Sequence, residues 1–523
     1  MTLQGRTSHH DDFIEEFAKD VPRGMQTRTK KIETAPQARW QSPTTILSSK
    51  MLSYNPDNPG GKLLMGAFGN KLIGIDDNRH VMTVAGSRSG KSVLLTANLL
   101  LYRGSVLAID PKGELSTLTA KRREDMGQKV HVLDPFQRVR GDAVRFRSKF
   151  NPMVRLTLDN ETIIEDAGLI ADALVVSEGS KDQHWNESAR NLIAGLILHV
   201  ATAIEYADHR NLLSVRQCLR DILKVDADSD PGMVGQEEYL LDRQMQENAL
   251  RLRDMEDGRL QDIAAAIDGA ASDFYDKAEE ERSGVLSNAR RHTQFLDYRA
   301  MRRVLDGHDF ELEALKADEK GVSVYLCLPA GRLSSCARWF RIFIMQMLIA
   351  LEQVERNPEA PVLVCLDEFP VLGHMKMLED AVGQVASSRV RLWFILQDWG
   401  QGEALYGKRW ESFAANSGIL QCFGNTDVTT TEYISKRLGM RQVEKRQRSE
   451  VGSRQAEDGL SGSSLSSDQV PLMTPDEIAR QFARVDKLKR QIVFWAGFHP
   501  LMIQRVEYFD QTGPHHRVFA GKY

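Results

Sequence analysis

Cysteine is scarce in this sequence, and long apolar runs are missing. Its 523 residues include five cysteines, which are scattered and never spaced as C-x-x-C. Such a set argues against a disulfide framework and a structural zinc site, and it favours a reducing compartment. The most apolar stretches, 192–204 and 339–351, are short and carry polar side chains, whereas a membrane span needs about 20 apolar residues. We therefore predict core helices and no membrane span, and the polar N-terminus predicts no secretory signal.

An excess of either sign of charge is missing as well. Lys and Arg total 68, Asp and Glu total 72, and the net charge is −4. A strongly basic nucleic-acid binder is excluded, so any contact with DNA needs a local basic surface. Hydrophobic residues make up 42% of the chain, which supports a large core and excludes disorder throughout.

Strand and helix signals alternate along two stretches of the chain. Short apolar runs bounded by turns lie at 80–85, 105–110, 322–328, 362–366, 392–396 and 418–423. They predict an α/β fold with a mainly parallel sheet that is buried on both faces. The intervening segment carries long helical patterns, which predicts an all-α domain inserted into the α/β domain.

The predicted boundaries follow these changes in composition. They are a flexible arm over 1–45, a first α/β part over 46–159, an all-α domain over 160–298, a second α/β part over 299–523, and a polar loop over 441–469. After the loop, Thr474, Pro475 and Glu477 predict the start of a helix. The segment 491–509 predicts two strands joined around Pro500.

A turn rich in glycine and serine carries the strongest motif. It follows an apolar strand, opens a helix, and consists of Ala85, Gly86, Ser87, Arg88, Ser89, Gly90, Lys91 and Ser92. In a phosphate-binding loop, the backbone amides and the helix N-terminus hold the phosphates, Lys91 reaches the β and γ phosphates, and Ser92 binds Mg²⁺. Ala85 stands where the pattern has glycine. A methyl group at this position is costly only if φ is positive. The alternative is a plain turn before a buried helix.

Two carboxylates follow the apolar run at 362–366. Asp367 and Glu368 therefore lie at the carboxyl end of a buried strand, where open α/β sheets bind ligands. In a Walker B arrangement, Asp367 holds the Mg²⁺ shell and Glu368 deprotonates the attacking water. The alternative is a strand that simply reaches solvent at Asp367.

Three further residues flank the run at 392–396. Gln397 follows this run directly. Its side chain either senses the γ phosphate or aligns water, or it only caps the strand. Arg389 and Arg391 lie at its start and are candidates for stabilising charge on the transferred phosphoryl group. The alternative for both arginines is a solvated surface position.

Several motifs are more specific than a phosphate-binding loop. In chain order they read GSRSGKS, AIDPKGEL, HVLDPF, FNPM, HWNESARNLIAGLILHV, LDEFPVLG, ILQDWGQGEALYG, CFGNTDVTTTEYIS and PLMTPDEI. Together they resemble the type IV secretion coupling proteins, the TraG/TraD coupling ATPases of bacterial conjugation. The resemblance runs from about residue 60 to the C-terminus.

This resemblance implies a RecA-like P-loop NTPase domain interrupted by an all-α domain, with ATP and Mg²⁺ as ligands. The positions that match the family's Walker A, Walker B and following motif are Gly86, Gly90, Lys91, Ser92, Asp367, Glu368 and Gln397. Asp110, Lys112 and Glu114 match the DPKGE element, for which a plain turn is the alternative. His184 and Trp185 match a motif of the all-α domain, where packing explains a tryptophan equally well.

The implied partners are single- or double-stranded DNA, a relaxase or effector cargo, and type IV secretion channel components. The resemblance also implies a homo-hexamer when the protein is active. Family members usually start with transmembrane helices, and none is found here, so we expect a protein of the bacterial cytoplasm that partners hold at the inner membrane. The segments 290–292 and 441–448 are candidates for DNA contact, with ordinary solvated surfaces as the alternative.

Two classes of function fit these expectations. One is an ATP-hydrolysing coupling protein, a DNA-stimulated translocase that delivers a relaxase–DNA or protein cargo to the secretion channel. The other is a nucleotide-gated receptor or adaptor with little translocase activity. A nuclease is not favoured, because the sequence has no spare cluster of acids and histidines for it.

Overall fold

The computed structural model describes residues 37–176, 183–225, 239–255, 257–448 and 463–523. Most of the arm predicted over 1–45 lies outside these ranges. The end of that arm is not all flexible coil, because a helix runs over Pro43–Ser48. Ser42 caps this helix by accepting a hydrogen bond from the Thr45 amide. A capped N-terminus and a first-turn proline explain why so short a helix forms here.

The strands are numbered β1 to β13 in chain order. They span Leu63–Phe68, Lys71–Ile75, His80–Ala85, Val106–Ile109, Lys129–Leu133, Val322–Leu326, Val362–Leu366, Val390–Leu396, Ser417–Phe423, Met440–Arg448, Ser463–Pro471, Arg490–Trp495 and Leu501–Gln504. The six apolar runs that the sequence marks as strands therefore coincide with β3, β4, β6, β7, β8 and β9 to within two residues. Those strand predictions are confirmed.

The helices are numbered α1 to α18 in chain order. They span Pro43–Ser48, Lys91–Leu101, Glu114–Asp125, Ile163–Leu174, Gln183–Thr202, Leu212–Asp221, Leu240–Arg253, Gly258–Tyr275, Glu279–Thr293, Arg299–Leu305, Ala314–Ala317, Leu333–Gln353, Lys376–Ala381, Trp399–Tyr406, Trp410–Asn416, Val428–Leu438, Pro475–Gln481 and His516–Phe519. The predicted capping box at Thr474 and Glu477 is present at the start of α17 and is confirmed.

The chain divides into two compact units. Unit one comprises Met1–Gly104, Glu359–Pro370 and Arg391–Tyr523, and unit two comprises Ser105–Pro358 and Val371–Val390. These boundaries differ from those predicted at 159 and 298. Helices α4 to α9 do follow one another between residues 163 and 293, but a separate all-α domain stays a prediction.

In unit one, the strands are ordered β2-β1-β13-β12-β9-β3-β8-β7. β3 pairs in parallel with β8 on one side and β9 on the other. Beyond β9, the strands β12, β13, β1 and β2 are antiparallel to their neighbours, and the pair β12–β13 confirms the two strands predicted around Pro500. Every residue of β3, β7, β8 and β9 is buried, as expected for apolar runs that are covered on both faces.

A chain of buried polar side chains crosses the middle of this sheet. Trp393 Nε1 donates to Thr83 Oγ1 at 2.9 Å, and Thr83 Oγ1 donates to Gln421 Oε1 at 3.3 Å. Gln421 Nε2 in turn donates to Gln491 Oε1 at 2.6 Å. Because a slip of one residue would leave these groups unpaired in an apolar core, they specify the register of four strands.

The polar loop predicted over 441–469 is corrected by the structure. Within it, β10 and β11 form an antiparallel pair with Met440 opposite Pro471, and residues 449–462 lie outside the described ranges. Polar composition did not prevent a strand, because a hairpin can expose both of its faces to water. The segment 441–448, predicted as a DNA-contacting loop, therefore lies on a strand.

Unit two contains the parallel strands β4, β6 and β5, in that order. Its longest helix, α12, belongs to a segment, Ala330–Gln353, that is long and apolar enough to cross a membrane by composition. In the most apolar window of that segment, 67% is buried inside the protein, which is typical of a core helix. Arg341 on this helix donates to the carbonyls of Ala173, Leu372 and His374.

The segment 290–292, the other candidate for DNA contact, is in the last turn of helix α9. His292 there is buried, with Nε2 3.2 Å from Asn186 Oδ1 and Nδ1 3.1 Å from Arg338 Nη2. Arg290 Nε donates to the Leu219 carbonyl at 2.9 Å. Arg290 and His292 therefore join helices to one another, whereas Arg291 is exposed, and contact with DNA through this segment stays a prediction.

We expect the protein to lose stability as the pH falls from 6.5 towards 4. Burial, followed by the charges of Arg338 and Arg291, lowers the pKa of His292 to about 4. The unfolded chain therefore takes up a proton first, and stability that is present above pH 6.5 is lost on acidification, by roughly 1–3 kcal/mol. Urea unfolding at pH 7 and pH 5 measures this change.

The matched variants are His292→Gln and His209→Gln, of which the second replaces an exposed histidine. His292→Gln is expected to show a smaller difference in stability between pH 7 and pH 5 than the wild type. His209→Gln is expected to show the same difference as the wild type. An equal difference in all three proteins would show that His292 does not titrate as expected.

Candidate nucleotide-binding site

The glycine-rich turn lies between β3 and α2, as predicted. Gly86 has no room for a side chain, because a Cβ there would lie 2.0 Å from the Gly424 carbonyl oxygen. Gly90 precedes the helix with a φ of 104°, a conformation that favours glycine. Ala85 is the last residue of β3 and is not among the described residues with positive φ, so its methyl group imposes no strain.

Lys91 and Ser92 are the first two residues of α2. Lys91 Nζ folds back over the turn and donates to the carbonyl oxygens of Ala85 at 2.9 Å and Gly86 at 3.4 Å. The ammonium group and the helix N-terminus thus place positive charge at the same turn. This is the arrangement that binds phosphate groups.

The two predicted carboxylates follow β7 directly. Asp367 is buried, and its Oδ1 accepts a hydrogen bond from the Glu368 amide at 3.2 Å. Glu368 has a φ of 56°, which is uncommon for a residue other than glycine. Such conformations cost about 1–3 kcal/mol and concentrate at functional sites.

Gln397 joins the ends of β7 and β8. Its side-chain Nε2 lies 3.2 Å from Glu368 Oε2 and 3.4 Å from Glu368 Oε1. Its backbone N–H donates to Gln401 Oε1 at 3.0 Å. Gln397 is therefore more than a strand cap, because it also fixes the carboxylate of Glu368.

One edge of the unit-one sheet thus holds all of these groups. β8 lies between β3 and β7, and β3 runs parallel to β8 with Val84 opposite Leu396. The turn before Lys91 and the pair Asp367–Glu368 are consequently two strands apart, about 10 Å at the usual strand spacing. A triphosphate has the length to reach from one to the other.

Arg391 does not lie at this edge, and its contacts do not favour the catalytic role predicted for it. It lies near the start of β8, whereas Gln397 follows the end of that strand. Its buried guanidinium donates to the Gly61 carbonyl at 2.7 Å, to Asp76 Oδ1 at 2.8 Å and to the Asp77 carbonyl. Its two terminal nitrogens thus tie the start of β8 to the loops beside it. Arg389 likewise donates to the Pro358 carbonyl at 2.9 Å.

We expect Arg391→Ala to lower stability and not the intrinsic rate of hydrolysis. The substitution leaves buried carbonyl groups without a donor, which costs about 2–4 kcal/mol. Chemical denaturation measures that loss, and kcat of the folded fraction measures the chemistry. A kcat that falls by more than tenfold in a protein of unchanged stability would restore the catalytic interpretation.

Asp110 of the DPKGE element has a structural position. Its Oδ2 accepts hydrogen bonds from the amide and the hydroxyl of Ser116 at 2.8 Å and 2.7 Å, in the first turn of α3. Burial raises the pKa of Asp110. These contacts are those of a plain turn, which was the alternative for this element. Lys112 and Glu114 are exposed.

His184 is exposed, with Nε2 3.6 Å from Glu281 Oε1. Trp185 packs against Gly284, where a Cβ would lie 2.6 Å from its ring. Packing therefore accounts for this tryptophan, which was the alternative to a family-specific role.

Two residues beside the turn were missed by sequence reasoning. Asn425 is 2% exposed, and its Oδ1 and Nδ2 have no hydrogen-bond partner within the described ranges. It follows Gly424, which packs on Gly86, so this unsatisfied amide belongs to the loop beside the turn. Its sequence signal is a Gly-Asn pair directly after the β9 strand. Arg505 is the other, and its Nη1 donates to the Ser89 carbonyl.

The donor set on this edge fits a magnesium ion that arrives with a nucleotide. Within the described part of the chain, no group of three or more His, Cys, Asp or Glu side chains is placed to hold a metal. Mg²⁺ is usually bound by one or two protein oxygens together with waters and substrate phosphates. Ser92 and Asp367, the two predicted metal-binding residues, follow β3 and β7 at this edge and would supply such oxygens.

Comparisons with known proteins now decide the family. The sequence model described as type IV secretory system conjugative DNA transfer matches residues 28–520. The chain belongs to this family. The family membership predicted from the motifs is therefore confirmed.

Two relatives illustrate how far the similarity extends. Conjugal transfer protein TraG of Escherichia coli is 27% identical over 453 residues, which cover 82% of this chain and 67% of TraG. Protein VirD4 of Agrobacterium fabrum (strain C58 / ATCC 33970) is 26% identical over 450 residues, which cover 85% of this chain and 60% of VirD4. The chain thus spans about two thirds of the length of these relatives.

Solved structures of the plasmid coupling protein TrwB share the fold. Its complex with ADP and Mg²⁺ has a TM-score of 0.59 at 15% identity and covers 91% of this chain and 97% of its own. Its trigonal form with sulphate has a TM-score of 0.60 at 16% identity and covers 91% of this chain and 96% of its own. The predicted fold class, an α/β RecA-like P-loop NTPase, is confirmed by this similarity.

Proposed function

We propose that this chain is an ATP-hydrolysing coupling protein that moves a relaxase–DNA complex or a protein cargo towards a type IV secretion channel. One observation carries the proposal. The phosphate-binding turn, Gln397 and the pair Asp367–Glu368 lie at the same edge of one sheet, in a chain of the conjugative DNA transfer family.

Each residue then has a role in hydrolysis. The amides of the turn and the Lys91 ammonium group bind the β and γ phosphates. Glu368 accepts a proton from the water that attacks the γ phosphorus, and Gln397 holds its carboxylate in place through the 3.2 Å hydrogen bond. ADP and phosphate leave as products. Magnesium, bound by Ser92 and Asp367, would neutralise charge on the phosphate oxygens.

The ligands in the TrwB structures support the choice of nucleotide. That protein has been solved with a non-hydrolysable ATP analogue, with a GTP analogue, and with ADP and Mg²⁺. We propose ATP and Mg²⁺ for this chain on that ground. Asn425 is a further candidate contact, because a bound nucleotide or its water shell would satisfy the buried amide.

The partners are proposed from family membership. They are single- or double-stranded DNA, a relaxase or effector cargo and components of the secretion channel, with a homo-hexamer as the active assembly. A cytoplasmic protein held at the inner membrane by these partners is consistent with the proposal. Arg391 and Arg389 donate to backbone carbonyls, so we propose that an arginine at another position acts on the transferred phosphoryl group.

The test is the rate of ATP hydrolysis by the wild-type protein with and without single-stranded DNA. We expect DNA to raise kcat several-fold, and the stimulation to weaken between about 50 and 200 mM salt, because phosphate contacts release counterions. Heparin controls for charge alone, and duplex DNA of equal length tests strand preference. Slow hydrolysis that DNA leaves unchanged would contradict a translocase and favour a nucleotide-gated receptor or adaptor.

A further inference from the structure

The first turn of α14 holds the residue that contacts Glu368. Asp398 is the N-cap of this helix, and its side chain accepts a hydrogen bond from the Gln401 backbone N–H at 3.0 Å. The side chain of Gln401 extends in the opposite direction along the chain, and its Oε1 accepts from the Gln397 backbone N–H at 3.0 Å. One glutamine therefore joins the helix cap to Gln397.

This exchange of hydrogen bonds differs from an ordinary capping box. In that motif, the side chain of the third helical residue accepts from the N–H of the N-cap itself. The same chain has an ordinary example at α17, where Glu477 Oε2 accepts from the Thr474 N–H at 2.8 Å. At α14, the side chain of Gln401 passes the N-cap and reaches the residue before it. The displaced bond thus serves Gln397, which directly follows β8.

The start of α14 is itself fixed against α16. The Trp399 backbone N–H donates to the Thr430 hydroxyl at 2.8 Å. The Trp399 ring stacks on Tyr433 of the same helix, with ring centroids 3.6 Å apart and planes 18° apart. Trp399 is 2% exposed and Thr430 is 1% exposed. Because buried contacts lock side chains and backbone in place, the first turn of α14 is a firm support for Gln401.

Gln397 connects this support to the carboxylate that acts on water. Its Nε2 lies 3.2 Å from Glu368 Oε2, while Gln401 holds its backbone. Loss of the backbone hydrogen bond frees Gln397 to move, and its side-chain donor then moves away from the carboxylate. A displacement of about 1 Å in the groups that align reactants can lower a rate by about 10²-fold. The geometry at Glu368 therefore depends on an acceptor four residues beyond Gln397.

We propose that Gln401 is a positioning residue for ATP hydrolysis. It acts through Gln397, and the group that it supplies is a hydrogen-bond acceptor for one backbone N–H. The inference rests on the proposed function, because it assumes that Glu368 accepts the proton of the attacking water. Gln401 does not hold the phosphates in this scheme, so the affinity for ATP does not depend on it.

The experiment compares two substitutions of similar length in the full chain. Gln401→Met removes the acceptor, whereas Gln401→Glu keeps it, as Glu477 does at the same helical position of α17. In Gln401→Met we expect kcat to fall about tenfold while KM for ATP stays close to that of the wild type. In Gln401→Glu both constants are expected to stay close to those of the wild type. Gln469→Met, at an exposed position of β11, is the matched control.

A double-mutant cycle measures whether Gln401 acts through Gln397. We expect Gln401→Met to change kcat little in a Gln397→Ala protein, because the side chain that it positions is then gone. The same fold-loss of kcat in both backgrounds would overturn the inference, since independent sites add in free energy.

Three other outcomes would also overturn the inference. They are a wild-type kcat in Gln401→Met, an equal loss of kcat in Gln401→Glu and Gln401→Met, and a loss of ATP affinity in Gln401→Met, which calorimetry measures. The last would mean a role in shaping the fold or the phosphate-binding turn. Failure of the wild-type protein to hydrolyse ATP would contradict the proposed function, and this inference would fall with it.

Discussion

Lys91→Ala is expected to abolish measurable hydrolysis of ATP while leaving the fold intact. The ammonium group lies over the turn, 2.9 Å from the Ala85 carbonyl, where it meets the charge of the phosphates. Removing one such stabilising group lowers kcat by about 10²–10³, and the loss of affinity for the phosphates adds to this. Phosphate release at saturating ATP measures the rate, and circular dichroism checks the fold.

Lys408→Ala is the matched control, because Lys408 is an exposed lysine of the same unit. It is expected to hydrolyse ATP at the wild-type rate. If Lys91→Ala and the wild type hydrolyse ATP equally, the turn is not the phosphate site and the proposed function fails.

Glu368→Gln is expected to separate binding from chemistry. The amide keeps the size of the side chain but cannot accept a proton, so kcat falls by about 10²–10⁴, the usual contribution of a general base. The affinity for ATP is expected to stay close to that of the wild type, because the phosphates bind at the turn. Single-turnover hydrolysis and equilibrium binding of ATP measure the two effects.

Two further variants sharpen this result. Gln397→Ala is expected to lower kcat less than Glu368→Gln, because the carboxylate remains and only its 3.2 Å hydrogen bond is lost. Glu432→Gln, at an exposed carboxylate on α16, is expected to leave kcat unchanged. A Glu368→Gln protein with wild-type kcat would assign the proton transfer to another group.

Local patterns were sufficient for the elements around the site. The run before Asp367, Val362–Leu366, is predicted and observed with the same bounds, because a short apolar stretch between turns has few other folded solutions. The turn at Gly86 and Gly90 is also a local feature, since its backbone conformation depends on glycine at those positions.

Local patterns failed where the environment of a side chain decides its role. Arg391 and Gln397 lie at opposite ends of one strand, and the sequence does not reveal that the Arg391 guanidinium is buried against Gly61 and Asp76. Asn425 and Arg505 are far from Lys91 in sequence, and pairing of β9 with β3 and of β13 with β12 brings them to the turn. The hairpin β10–β11 was missed because its sequence lacks the apolar alternation that marks a half-buried strand.

The order of residues along the chain by itself determined the family, the parallel strands and the motif residues Lys91, Asp367, Glu368 and Gln397. These depend on patterns within a few neighbouring residues. Only the tertiary structure decided that Glu368 meets Gln397, that Arg391 is buried away from the ligand edge and that Arg505 contacts the turn. The reason is that strand order in a sheet is set by packing between distant segments, which no local pattern encodes.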